Sequence, residues 1–392
     1  MNDPVPGTAV YREARRIAVA GMFALAAAIG IGRFAFTPLL PMMQHDAGLT
    51  LTAGGWLASA NYLGYFAGAI SAVWLRMPAV AMVRISLVFN AVLLAAMGFA
   101  DGWIAWAAIR GAAGVVSAWL FVFASAVVIK RLAALGHVEL SSVMFAGVGV
   151  GITVPGVLCI AFVAAGVDSH RAWQIFALLA MVVAVLLWPA FHGAEDAPAA
   201  AREGRTAAPQ WTRPMALLIL SYGLFAFGYI IPATFLPVIA RDALADPGQY
   251  VWFWPACGIA ATISGFASVP LARRFGDHTL LLCCFIVEAV GVVLPVWSPH
   301  AVGIAAGAVL VGATFLVITV ASLREARVFA PAHASRLIAA MTASFALGQI
   351  AGPLAAAYLV AWRGSFSAPL LLAAVALLLA GALLPRSGAR GN

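Results

Sequence analysis

The chain is poor in charge. Lys, Arg, Asp and Glu make up 9% of its 392 residues, against about 25% in a soluble domain, so composition alone excludes a water-bathed fold and implies an integral membrane protein. Cysteine is scarce too. Cys159, Cys257, Cys283 and Cys284 all fall inside apolar runs, which leaves neither a disulfide framework nor a metal site. The histidines lie in loops, and none has metal-ligand spacing. No nucleophile elbow, Walker loop or carboxylate pair occurs, so no enzyme chemistry and no cofactor is indicated. Gly30-Ile-Gly32 is no dinucleotide fingerprint, since no strand precedes it and no third glycine follows in step. The short alternating segments of a transmembrane barrel are absent as well. So is any stretch long enough for a soluble domain, which argues against a non-transporting sensor or anchor.

What the chain has instead is apolar length. A span needs about 20 apolar residues, and twelve such runs can be read: 17–43, 52–75, 80–100, 103–129, 141–165 and 172–191, then 214–240, 250–271, 279–297, 301–322, 337–361 and 366–385. The first follows Arg12, Arg15 and Arg16 as a signal peptide would, but its 27 residues exceed an h-region of about 7–15. It is therefore read as a retained helix. Residues 192–213, rich in Ala and Pro with mixed charges, separate two six-helix halves, 1–191 and 214–392.

The formal charge of +8 could suggest nucleic acid, but its placement does not. Of 22 Lys and Arg, 17 fall in the segments that are inner if the N-terminus is inside, and 3 (Arg171, Arg241 and Arg363) in outer loops. Arg33 and Arg110 lie within helices. That bias predicts two cytoplasmic termini in a bacterial inner membrane and accounts for the basic charge without an anionic macromolecule. Lipid and a small solute are the expected partners, and the carrier is expected to act as a monomer.

Shifted by 196 residues, the chain repeats itself. Gly32, Leu40, Pro41, Asp46 and Ala47 fall on Gly228, Leu236, Pro237, Asp242 and Ala243, and Trp56 and Ala60 on Trp252 and Ala256. Six helices per repeat make the halves parallel, related by an axis along the membrane normal.

This organisation resembles the major facilitator superfamily over essentially the whole chain. Leu271-Ala-Arg-Arg-Phe-Gly276 is similar to the family's cytoplasmic loop signature, with Arg273 in the usual Asp position; the matching loop after helix two, Trp74-Leu-Arg-Met-Pro78, has lost it. The resemblance assigns gating to the loop of Arg273, Arg274, Gly276 and Asp277. Arg110-Gly-Ala-Ala-Gly114 looks like the R-x-x-x-G element of helix four. Gly348–Pro353 resembles the glycine-proline motif of helix eleven, and Gly147, Gly149, Gly151 and Pro155-Gly156 a reordered antiporter motif. More narrowly, G-x-G-R-F-x-x-T-P-L-L-P in helix one looks like the YbfB/YjiJ-type branch. Organic-anion and organophosphate porters of the superfamily also carry a helix-one arginine with a proline eight residues on, the spacing of Arg33 and Pro41.

An arginine deep in a membrane helix is costly and marks a pathway or a partner. Arg33 lies 11 residues before Gln44, and Arg110 9 residues after Asp101, roughly 16 and 14 Å below one surface at the helical rise. Two guanidiniums at one depth can chelate a carboxylate or phosphate. Alternatively one of them snorkels, or Arg110 braces a helix end through backbone carbonyls. Asn61, Tyr62 and Tyr65 cluster in helix two and can bind a polar or aromatic ligand, or pack against helix eleven. Tyr229 occupies the repeat position of Arg33, with Tyr222 two turns before it. A cation opposite an aromatic donor suits a small monoanion with an apolar body. Gln349 in helix eleven either contacts solute or bonds between helices.

Glu288 is the acid in mid-span, and a proton relay is one reading of it. The resemblance implies that helices three, six, nine and twelve face away from the cavity. That favours a structural hydrogen bond or a neutral Glu288, and places Asn90 under the same argument. The leading expectation is an alternating-access carrier of a small anionic or polar organic solute anchored by Arg33, with protons an open coupling partner. The rival is a proton-driven exporter of amphipathic compounds, which predicts Glu288 in the cavity beside a broad apolar pocket.

Overall fold

The computed structural model describes residues 6–72, 74–192, 211–244, 252–330 and 334–385. The expected linker therefore lies almost wholly outside the described residues. Within them the chain is helical throughout. Pro6–Leu25, Ala26–Phe34 and Phe36–Asp46 run on as one long helix, α1. Then follow α2 (Leu51–Ser71), α3 (Ala79–Phe99), α4 (Trp103–Ala134), α5 (Ser141–Ala164) and α6 (Ser169–Leu187). The second half holds α7 (Arg213–Ala243), α8 (Phe253–Phe275), α9 (Asp277–Trp297), α10 (Ala301–Phe329), α11 (Ala334–Arg363) and α12 (Ser367–Ala382).

Nine of these are long and apolar enough to cross a membrane. The exceptions are α2, α8 and α12, the last with 16 residues. In α2 the apolar character is diluted by Gly, Ser, Thr, Asn and Tyr. Helices α2 and α8 form the seams between the halves, α2 against α11 and α5 against α8, while α1 meets α7. A shift by one repeat turns the first seam into the second.

Helix ends follow local chemistry. Thr50 accepts from Ala53 N–H (3.1 Å) at the start of α2, and Asp168 from Arg171 N–H (2.9 Å) at the start of α6, which satisfies otherwise orphaned donors. Packing between helices runs on small residues. At Gly30 of α1 an added Cβ would lie 2.1 Å from the Cα of Gly151 in α5. Those two backbones touch, and no side chain fits between them.

Candidate functional site

The site begins with an irregularity in α1. Ala26–Phe34 is a π-helix, all nine residues of it buried. Its i→i+5 pattern ends in Ala35 N–H donating to Gly30 O at 2.9 Å. Pro38 has no N–H and can donate to neither Phe34 nor Arg33. Backbone carbonyls in this region therefore need other donors. Arg110 of α4 supplies two, Nη1 to Gly32 O (3.1 Å) and Nη2 to Arg33 O (2.9 Å), with its guanidinium 5.0 Å from the Phe36 ring centroid. Asn90 of α3 supplies a third, to Ala27 O (3.2 Å). Asn61 of α2 in turn donates to Arg110 O (2.9 Å). Residues from three helices thus hold the widened turn, and the turn presents Arg33.

Arg33 is 6% exposed. Its guanidinium lies between two phenol rings of α2, 4.7 Å from Tyr62 and 4.6 Å from Tyr65, the cation–π geometry that stabilises a desolvated cation. Nη2 donates across the seam to Gln349 Oε1 of α11 at 2.5 Å, and the Gln349 amide donates to the Tyr229 hydroxyl. Tyr229 stacks on Phe225, Phe315 and Phe345, and Tyr222 stacks on Phe345 at 4.8 Å. The structure thus brings Arg33, Tyr62, Tyr65, Gln349 and Tyr229 into one cluster, with Tyr222 on its aromatic flank. Arg110 and Asn61 stand behind it, the two terminal nitrogens of Arg110 and the Asn61 amide bonded to backbone carbonyls. Among the described residues no acid pairs with either buried guanidinium.

Other groups close the seam around the cluster. Thr37 donates to Ala233 O (2.8 Å), its own position in the repeat. The Tyr62 hydroxyl meets Thr234 Oγ1 (3.1 Å), and Ser59 donates to Ile350 O (2.8 Å). Sequence reasoning missed Thr37, Thr234 and Ser59, because a lone hydroxyl in an apolar helix carries no pattern. Beyond the seam, where α1 ends, a cavity of about 460 Å³ opens between the halves. Pro38, Pro41, Pro237 and Trp254 wall it, and Asp46 and Arg241 line its polar side.

Glu288 lies apart from Arg33. It is fully buried against α8 and α10, where Cys257 and Thr314 are its neighbours. The exposed face of α9 is that of Ile286, Val287 and Val290. Helices α3 and α9 each show lipid one face, and Asn90 and Glu288 lie on the other. In the expected gating loop Gly276 has φ +77° between α8 and α9. Arg273 and Arg274 are exposed, and Asp277 accepts from Arg324 of α10 through Nη2 (2.7 Å) and Nε (2.9 Å).

Comparison with known proteins bears on what this arrangement does. The family described as "Uncharacterised MFS-type transporter YbfB" matches residues 25–385. No curated protein matches the chain. Among solved structures, crystal structures of the nucleoside transporter NupG are similar. A mutant form has a TM-score of 0.74 and 13% identity, covering 94% of this chain and 99% of that one. A second NupG structure has a TM-score of 0.66, also at 13% identity, covering 96% and 98%.

Proposed function

The chain belongs to the family of MFS-type transporters described by YbfB, and from that premise we propose that it carries a small organic anion, with Arg33 as the solute's anchor. A multi-pass membrane transporter of a small solute, and no enzyme, is what family and fold establish. The anion rests on one observation: two buried guanidiniums, Arg33 and Arg110, have no acid beside them among the described residues. A cation held out of water needs a counter-charge. Arg110 is committed to carbonyls, so the charge left for a solute is that of Arg33. In the structure its acceptor is the neutral amide of Gln349, which a carboxylate outbids as a charged, two-oxygen acceptor.

The cycle is alternating access between halves 1–191 and 214–392 in an inner membrane with both termini cytoplasmic. The anion displaces Gln349 from Arg33, Tyr229 offers its freed hydroxyl, and the aromatic wall receives the apolar body. Arg110 positions the π turn without touching the solute, and the loop of Arg273, Arg274, Gly276 and Asp277 controls the inner opening. The Asp277–Arg324 pair supports that role. A neutral nucleoside, which the fold-mate's name suggests, would leave Arg33 without a counter-charge and serves as the contrasting substrate.

Counterflow in proteoliposomes tests the reading. Radiolabelled monocarboxylates, phosphate esters and nucleosides are exchanged against their unlabelled forms with wild type and Arg33→Ala. An anion exchanged by wild type and lost in the variant is expected. Nucleoside exchange that survives Arg33→Ala would overturn the proposal.

A further inference from the structure

Glu288 has no part in the anion site, yet its surroundings are unusual. It is 0% exposed, and neither carboxylate oxygen has a hydrogen-bond partner among the described residues. The Thr314 hydroxyl is the one polar group within hydrogen-bond reach among them, and its single proton is shared with Leu310 O of its own helix, 2.8 Å away. The ionisable groups near Glu288 are two thiols, Cys257 on α8 and Cys284 on α9. The adjoining α12 has no ionisable side chain along its length. A carboxylate in this position has no counter-charge and one hydroxyl beside it, shared with a backbone carbonyl, so the ligand that neutralises it is a proton.

A route to it can be traced. Cys257 and Gly291, the latter three residues beyond Glu288, line a small apolar cavity with room for about one water. Trp254 lines that cavity and also the 460 Å³ cavity at the far face. Its indole N–H is buried and has no partner among the described residues, a donor placed between two spaces as a bridging water requires.

We propose that Glu288 is a proton-binding site reached from the outer cavity past Trp254, distinct from the anion anchor at Arg33. A hydronium gives its proton to the carboxylate, leaving water and a carboxylic acid, and the reverse step releases it. Through α9 and α10 the charge state of the second half then weights its two arrangements in the transport cycle. This coupling rests on the transporter reading. The proton binding itself does not.

Infrared difference spectroscopy of the reconstituted, solute-free protein reads the site directly. Acidification should raise a carboxylic C=O band that shifts in D₂O and disappears in Glu288→Gln. Glu288→Asp should move the band without abolishing it, which separates loss of the group from loss of fold. Trp254→Phe, which removes the indole N–H and keeps the bulk, should slow deuteration of that band severalfold. Identical acid-minus-base spectra for wild type and Glu288→Gln would overturn the site, and deuteration unchanged or faster in Trp254→Phe would overturn the route. If counterflow finds no anion while the band titrates, the anion reading fails and this one stands.

Discussion

Replacing Arg110 by Met separates a bracing arginine from a binding one. In the wild type its two terminal nitrogens reach Gly32 O at 3.1 Å and Arg33 O at 2.9 Å. A hydrogen bond to a charged group is worth about 1.5–3 kcal/mol, so removing both costs ~3–6 kcal/mol. Methionine fills much of the volume, and relief of a buried charge offsets part of that loss. Arg33→Met forfeits one hydrogen bond, to the Gln349 amide, about 1.5–3 kcal/mol by the same measure, and its contacts with the Tyr62 and Tyr65 rings, which the methionine thioether keeps in part. Arg110→Met should therefore unfold at clearly lower temperature than Arg33→Met in purified, solute-free protein. Arg110→Lys should recover about half the loss, since a point charge reaches one carbonyl where a fork reaches two. Anion exchange should follow the opposite order, with Arg33→Met inactive while folded and Arg110→Lys weakened but active. If Arg110→Met melts with wild type, or above Arg33→Met, the bracing role is refuted.

Gln349→Leu removes the acceptor that competes with solute for Arg33; the anion should bind about tenfold tighter or more, read as a lower half-saturation in counterflow. Gly30→Ala drives a Cβ into the Gly151 backbone at 2.1 Å and should destabilise by about 1–3 kcal/mol. Gly265→Ala meets nothing nearer than 3.8 Å and should be neutral or stabilise by about 0.5–1 kcal/mol, both read by thermal unfolding. For orientation, single cysteines at Arg363 and Arg273 in a cysteine-free background should react with a membrane-impermeant maleimide from opposite sides, Arg363→Cys from outside.

The helices were legible because lipid imposes a simple rule: each of the twelve runs read from hydropathy corresponds to one helix in the structure. Their ends were less so. The first helix begins at Pro6 and α4 runs to Ala134, because Arg and Lys near helix termini reach polar surroundings while the backbone continues. Arg33, Tyr62, Tyr65, Tyr229 and Gln349 stood out as polar groups in apolar company, and they meet. The equal depth of Arg33 and Arg110 was also readable, though not that one lies behind the other. Hydropathy ignores which way a side chain turns and whether a turn is α or π. The bracing by Arg110 and Asn90, the hydroxyls of Ser59, Thr37 and Thr234, and the inward face of α9 all depend on that.

The π turn also sets the two halves apart. Such a turn closes over one residue more than an α turn, and α7 has no equivalent of it. The extra residue rotates the inner part of α1 by about 100° relative to its counterpart in α7, so the two halves are not interchangeable. A solute arriving from one side meets different walls from a solute arriving from the other. Half-saturation measured from the two faces should therefore differ, even where the gradient driving transport is the same.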